Sequence, residues 1–241
     1  MKQPSRYLKL PFSFDLVRLQ QELGMLESVE WVSHFNTRAY EKNWTCLPLR
    51  SVDGRMDHIM PVESSSFQDT PILACCPYFR EVIDSFQCEK TSVRLMAMDP
   101  GAVIKEHRDD GTALEDGITR LHIPIQTAPQ VLFCIDGEEV HFSAGDTWYL
   151  NASCLHAVEN RSHQSRVHLM LDCISNAWLE ETFLAAGWVP RAKSIYPDPS
   201  INDGNVQQVI ERLRANGLEA GLRLADQLQA IQAGHAAGSG L

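Results

Sequence analysis

The sequence predicts a mainly β fold with flanking helices, built as a barrel or double-sheet jelly roll, and three observations carry the prediction. From Ser92 to Cys173 the chain runs in short segments rich in Val, Ile, Leu and aromatics. Turn signals such as Pro100-Gly101, Asp136-Gly137 and Gly145-Asp146 separate them at close intervals. No connection in this stretch is long enough for the crossover helix that a parallel sheet requires. Strands are expected near 92–98, 102–107, 118–126, 130–135, 138–143, 147–150, 155–159 and 165–173. Asp136-Gly137, between VLFCI and EEVHF, suits a two-residue hairpin because both central positions must tolerate positive φ.

Helical patterns flank this block. Leu16, Leu19, Leu23 and Leu26 recur at helical spacing in residues 14–26, behind Ser13 or Asp15 as cap. Phe79, Val82, Ile83 and Phe86 form one stripe on a second helix from Pro77 to Phe86. Helices return at Asn176–Ala186 and from Asp203 to Ile231, with Asn216-Gly217 as a break. Residues 190–203, with Pro197 and Pro199, read as a linker, and 233–241 as a disordered tail. The chain therefore divides into a jelly-roll domain with N-terminal helices, 1–189, and a linker with a C-terminal helical extension, 190–241. Three roles suit that extension equally: a lid, the interface of a homodimer, and a plain flank.

Composition excludes several function classes. Lys and Arg number 21 against 31 Asp and Glu, a net charge of -10, so no clustered cationic excess is available to grip nucleic acid. The 7 cysteines form an odd set without a C-x-x-C pair, which suits free thiols in a reducing cytoplasm. The segment MKQPSRYLKLPFSFD has no apolar signal core, and no apolar run approaches the roughly 20 residues of a membrane span. A cytoplasmic protein with neither membrane nor nucleic acid as partner is expected.

The strongest local feature is EHRDDG, Glu106 to Gly111, where a predicted strand leaves its sheet. In extended backbone His107 and Asp109 project to one side, so an imidazole and a carboxylate can reach one divalent cation. His156, in LHAVEN, is available as a third ligand. Two histidines and a carboxylate leave three open positions on an octahedral iron, the arrangement of non-heme Fe(II) oxygenases. A bare H-x-D is equally compatible with a solvated loop, and His156 with a hydrogen-bonded core histidine. Arg166 adds weight, because a guanidinium in the otherwise apolar strand SRVHLMLD needs a carboxylate or solvent. Arg120 and His122 share one face of TRLHIPIQT, as Arg166 and His168 share one face of theirs; periodicity alone leaves open whether those faces meet water or a site.

The ordered blocks HRDD, TRLHIPI, GDTWYLNASCLHAVEN and RVHLMLD resemble the aspartyl/asparaginyl β-hydroxylase family of Fe(II)- and 2-oxoglutarate-dependent oxygenases, and within that wider group the bacterial proline hydroxylases. The resemblance is densest from Ser92 to about Asp172. It implies a double-stranded β-helix, the cupin-like jelly roll, with the R-x-H faces turned inward. It implies that His107, Asp109 and His156 hold Fe(II), that Arg166 binds the far carboxylate of 2-oxoglutarate, and that Arg120 and His122 steady the other carboxylate. It further implies O2 as the oxidant, with succinate and CO2 as co-products. The peptide-hydroxylating branch generally lacks a carboxylate at the position of Asp109, whereas the amino-acid-hydroxylating relatives have it, which favours an amino acid or an aminoacyl or peptide side chain as substrate. Arg94, Trp148, Tyr149 and His168 are further candidates for the pocket wall. Two rival readings use the same ligands: a cupin-like metal-dependent protein that binds or isomerises a small acid without oxygen chemistry, and a sensor that has lost turnover.

Overall fold

The structure, a computed structural model, describes residues 3–59, 66–191, 195–198 and 200–238, without the side chains of 235–238. It divides into two compact units, residues 1–190 and 191–241.

Among its described residues the first unit holds thirteen strands and four α-helices. In chain order these are β1 (Tyr7–Ser13), α1 (Leu16–Met25), β2 (Val32–Ser33), β3 (Tyr40–Glu41), β4 (Trp44–Val52), β5 (Phe67–Asp69), α2 (Pro71–Ala74) and α3 (Pro77–Asp84). They continue with β6 (Lys90–Met98), β7 (Val103–His107), β8 (Ile118–Gln126), β9 (Val131–Ile135), β10 (Glu138–Val140), β11 (Asp146–Leu150), β12 (His156–Asn160), β13 (Arg166–Ile174) and α4 (Ala177–Ala185). All pairings are antiparallel. One sheet runs β1-β11-β8-β13-β6-β4-β2, with β5 also on β4, and the other runs β10-β9-β12-β7-β3. This is the double-sheet jelly roll, and each strand expected between residues 92 and 173 is present.

Alternation along the large sheet decides where its residues go. Leu47, Leu49, Val93, Leu95, Leu121, Ile123, Leu169 and Leu171 point outward and form one core with Leu19 of α1, Phe79 and Val82 of α3 and Phe183 of α4. The inward faces meet the small sheet, where Met98, Ile104, Phe133, Phe142 and Val158 cluster. Most of β13 is therefore buried on both faces. The R-x-H faces look into the jelly roll: Arg166, His168 and His122 are all buried.

Local chemistry fixes the ends of these elements. Asp15 caps α1 by accepting from the N–H groups of Val17 and Arg18 at 3.0 and 3.2 Å. α3 begins at Pro77 without a cap of its own, and the buried carboxylate of Glu22 fills that role across the core, accepting from Tyr78 N at 2.6 Å and Phe79 N at 2.8 Å. Asp136 and Gly137 turn the β9–β10 hairpin with φ of 46° and 82°, a pair of values that suits the right-handed twist of the flanking strands.

The second unit packs α5 (Val206–Asn216) and α6 (Glu219–Gly238), joined through Gly217 at φ 65°. Tyr196 and Ile201 are buried with Val206, Ile210, Ala225 and Leu228, and the Tyr196 hydroxyl donates to Asp203 at 2.7 Å. The expected linker thus, in its described part, packs two of its side chains against the helix pair. The expected disordered tail is helical to Gly238, and the last three positions lie outside the described residues. Among the described residues no helix is long and apolar enough to cross a membrane.

Candidate metal and carboxylate site

β7 and β12 lie side by side in the small sheet, and their register sets His107 opposite His156. A bulge follows at His156/Val158, a feature that commonly re-aims side chains at the mouth of a site. The imidazole centroids are 4.3 Å apart. Nδ1 of His107 lies 2.7 Å from the Lys105 carbonyl and Nδ1 of His156 lies 2.9 Å from the Cys154 carbonyl. A carbonyl can only accept, so both Nδ1 atoms carry a proton, and in the neutral form of each ring the lone pair lies on Nε2.

Asp109 stands two residues beyond the end of β7 on a loop held by its own N–H, which donates to Ala152 O at 2.9 Å. Its Oδ1 is 3.8 Å from His107 Nε2. Ligand atoms of His107, Asp109 and His156 all lie within 4.8 Å of one another, and no other His, Cys or carboxylate cluster among the described residues does so. Burial first, then the neighbouring His107, hold His156 below the ordinary imidazole range, so it is neutral and able to ligate. For Asp109, burial opposes the charge, but Arg120 and the two histidines outweigh it and keep the carboxyl below its usual range.

The triad opens on a cavity of about 380 Å³ between the sheets, bordered also by Arg94, Arg120, His122 and Arg166. Arg166 is 3% exposed, yet no carboxylate among the described residues pairs with it. Its Nη2 donates to Nδ1 of His168 at 3.2 Å, its guanidinium lies over Phe133 at 5.3 Å, and its Nε has no partner. Burial alone pulls it down to about 9. Both ring nitrogens of His122, Nε2 of His168 and Nε of Arg94 are likewise buried without partners. Native interiors rarely leave so many polar atoms orphaned in one place, and a cation with donors around it in a dry niche is complementary to a carboxylate.

Arg120 is disposed differently from His122. Its Nε donates to Asp172 Oδ1 at 2.7 Å, its Nη2 to Asp172 Oδ2 at 3.2 Å, and its Nη1 to Asp109. The guanidinium is already shared between two protein carboxylates, so it orients Asp109 rather than offering an open fork to a ligand. Of the other pocket candidates, Arg94 borders the cavity while Trp148 and Tyr149 do not. Trp148 stacks on Phe142, and Tyr149 points to the helical side against Phe183. His168 is fully buried behind Arg166. Unforeseen in the sequence are His34, stacked on Trp44 at 3.6 Å on the cavity wall, and Asp172. The latter shares the inward parity of Arg166 and His168 on β13, and that was its only sequence signal.

Residues 15–176 match the family model described as Aspartyl/Asparaginyl beta-hydroxylase. An L-proline cis-4-hydroxylase of Rhizobium meliloti (strain 1021) is 29% identical over 174 residues, covering 71% of this chain and 61% of that protein. L-proline cis-3-hydroxylase 1 of a Streptomyces species is 25% identical over 189 residues, covering 76% of this chain and 65% of that protein. The chain thus spans less than two thirds of either relative's length. A crystal structure of a 2OG-Fe(II) oxygenase family oxidoreductase from Burkholderia pseudomallei superposes with a TM-score of 0.49 at 12% identity, over 71% of this chain and 86% of that one.

Proposed function

This chain belongs to the aspartyl/asparaginyl beta-hydroxylase family, and from that premise we propose that it is an Fe(II)- and 2-oxoglutarate-dependent oxygenase hydroxylating an unactivated C–H bond of an amino acid or of an aminoacyl or peptide side chain. The observation that carries the reading is the buried, unpaired Arg166 on the same cavity as a His-Asp-His donor set.

In this reading His107 Nε2, Asp109 and His156 Nε2 hold Fe(II), a donor set that suits iron and leaves positions for other ligands. Arg166 takes the far carboxylate of 2-oxoglutarate as a charge-assisted pair, backed by His168. His122, which burial and then Arg166 keep neutral, offers its one N–H to the same ligand. Arg120 holds Asp109 in place. Iron bound there supplies activation of O2 coupled to decarboxylation of 2-oxoglutarate, so that C–H, 2-oxoglutarate and O2 become C–OH, succinate and CO2. The protein orients the two small molecules and keeps water away from the cavity. The L-proline hydroxylases among the relatives support a free amino acid as substrate. All seven cysteines are free thiols, which supports a reducing, cytoplasmic setting.

The cupin-like alternative requires no 2-oxoglutarate and leaves Arg166 without a partner. Titration of metal-free protein with Fe(II) and 2-oxoglutarate under nitrogen separates the two. A visible charge-transfer band that fades in Arg166→Ala is the expected result. Iron bound without any band would refute the oxygenase reading.

A further inference from the structure

Asp172 stands on the inward face of β13, in register with Arg120 of β8 and Ser92 of β6. Its carboxylate is buried and accepts four hydrogen bonds. Arg120 Nε donates to Oδ1 at 2.7 Å, while Oδ2 receives Arg94 Nη2 at 2.6 Å, Ser92 Oγ at 3.1 Å and Arg120 Nη2 at 3.2 Å. Arg120 Nη1 reaches on to Asp109 Oδ2. Charges therefore alternate in a row from the buried Arg94 and Asp172 through the part-buried Arg120 to the half-buried Asp109 at the cavity.

The row has a geometric consequence. A guanidinium prefers to give two parallel N–H bonds to one carboxylate. Arg120 spends its Nε and Nη2 edge on Asp172, so that only Nη1 meets Asp109, at Oδ2. Oδ1, on the His107 side, stays open. With Asp172 neutral, that edge is released to swing onto both oxygens of Asp109, where it competes with any bound cation. Arg94 and Arg120 would also face each other without the anion between them.

We propose that Asp172 is a positioning residue which, acting through Arg120, keeps one oxygen of Asp109 available to a divalent cation. The proposal rests on the reading of His107, Asp109 and His156 as the metal site. It predicts that Asp172→Asn, though nearly isosteric, weakens binding of Mn(II) alone to the full-length metal-free protein about 10- to 100-fold. Free Mn(II) is followed by its EPR signal, and circular dichroism confirms a folded chain. In an Arg120→Gln background, where the competing cation is gone, adding Asp172→Asn is expected to change Mn(II) affinity by less than about twofold.

Equal affinity in wild type and Asp172→Asn overturns the proposal, as does the same loss with and without Arg120. If Asp172→Asn fails to fold, the charge-matched Asp172→Asn/Arg94→Gln chain carries the same comparison, and failure of both to fold makes Asp172 a structural residue, which also overturns it. Wild type that does not bind Mn(II), or His156→Ala that binds it as well as wild type, refutes the metal site itself.

Discussion

Arg166→Met is expected to strengthen the ligand-free fold while removing its affinity for 2-oxoglutarate, an opposition that follows from the surroundings of one guanidinium. An unpaired buried charge costs several kcal/mol, and here burial alone brings the group down to about 9. Two favourable contacts offset part of that cost. The cation lies over Phe133, worth about 1–2 kcal/mol when desolvated, and it donates to His168 Nδ1, whose loss leaves a buried acceptor at about 1–3 kcal/mol. Methionine fills most of the same volume without the charge. The balance is a net stabilisation of about 1–2 kcal/mol, which raises Tm by about 2–8 °C in a chain of this size.

Burial disfavours the charged form of Arg166 in the folded chain, and the variant carries no such penalty. With ligand the order reverses, because losing one member of a buried charge pair costs about 3–5 kcal/mol, or about 10²- to 10⁴-fold in Kd. Calorimetric melting of metal-free protein and anaerobic titration of 2-oxoglutarate into Mn(II)-loaded protein measure the two halves. A ligand-free variant that melts well below wild type, or one that keeps wild-type affinity for 2-oxoglutarate, would refute the reasoning.

Three further outcomes are expected. Asp109→Ala should lose Mn(II) affinity by at least about tenfold with little change in circular dichroism; full turnover in that variant would remove Asp109 from the site. Metal should be released as pH falls, since each histidine must be neutral to ligate, and the low position of His156 delays proton competition at that ligand; retention that is flat with pH contradicts histidine ligation. Asp172 faces burial that opposes its charge, yet Arg120 and then Arg94 hold it well below the usual carboxylate range. Its contribution to stability is complete above the unfolded value of about 4 and fades as pH falls below it, so Asp172→Asn should flatten the acid limb of the stability profile, a change read by urea melts across that range.

Legibility from sequence tracked how local the cause of each feature was. Strands from β6 to β13 announced themselves because alternation and turn residues lie within a few positions of one another. β4 did not, since Pro48 interrupts a run that is nonetheless an inner strand; its pairing with β6 shifts register between Pro48 and Arg50, and the bulge accommodates the missing N–H. Nothing local in the sequence marks Glu22 on α1, and only the packing of α3 against α1 turns it into a cap. Tyr196 and Ile201 sat among prolines, and their burial needs the helix pair to exist first. His107 and Asp109 could be nominated because H-x-D is local, at the point where a predicted strand leaves its sheet, and His156 followed as a third ligand on a separate strand. The engagement of Arg120 could not, since its partner Asp172 is remote in sequence and visible only through the β8–β13 register.

That register also explains how the fold tolerates so many unpaired groups around one cavity. On β13, Arg166, His168, Met170 and Asp172 face inward while Val167, Leu169, Leu171 and Cys173 belong to the core shared with the helices. A slip of one residue would exchange the two sets, sending the guanidinium into the helical core and the leucines into the cavity. The outward face alone therefore penalises every wrong register, with several buried aliphatic side chains at about 1.5–3 kcal/mol each. The inward face does not have to stabilise the strand, and its orphaned donors can stay aimed at a ligand that is not there while folding takes place. Weakening the outward face should then loosen the site without touching it: Leu169→Ala, at an expected cost of about 2–5 kcal/mol, should lower 2-oxoglutarate affinity at temperatures approaching its melting point and spare it well below, whereas an equal loss at all temperatures would mean that the two faces are not coupled through register.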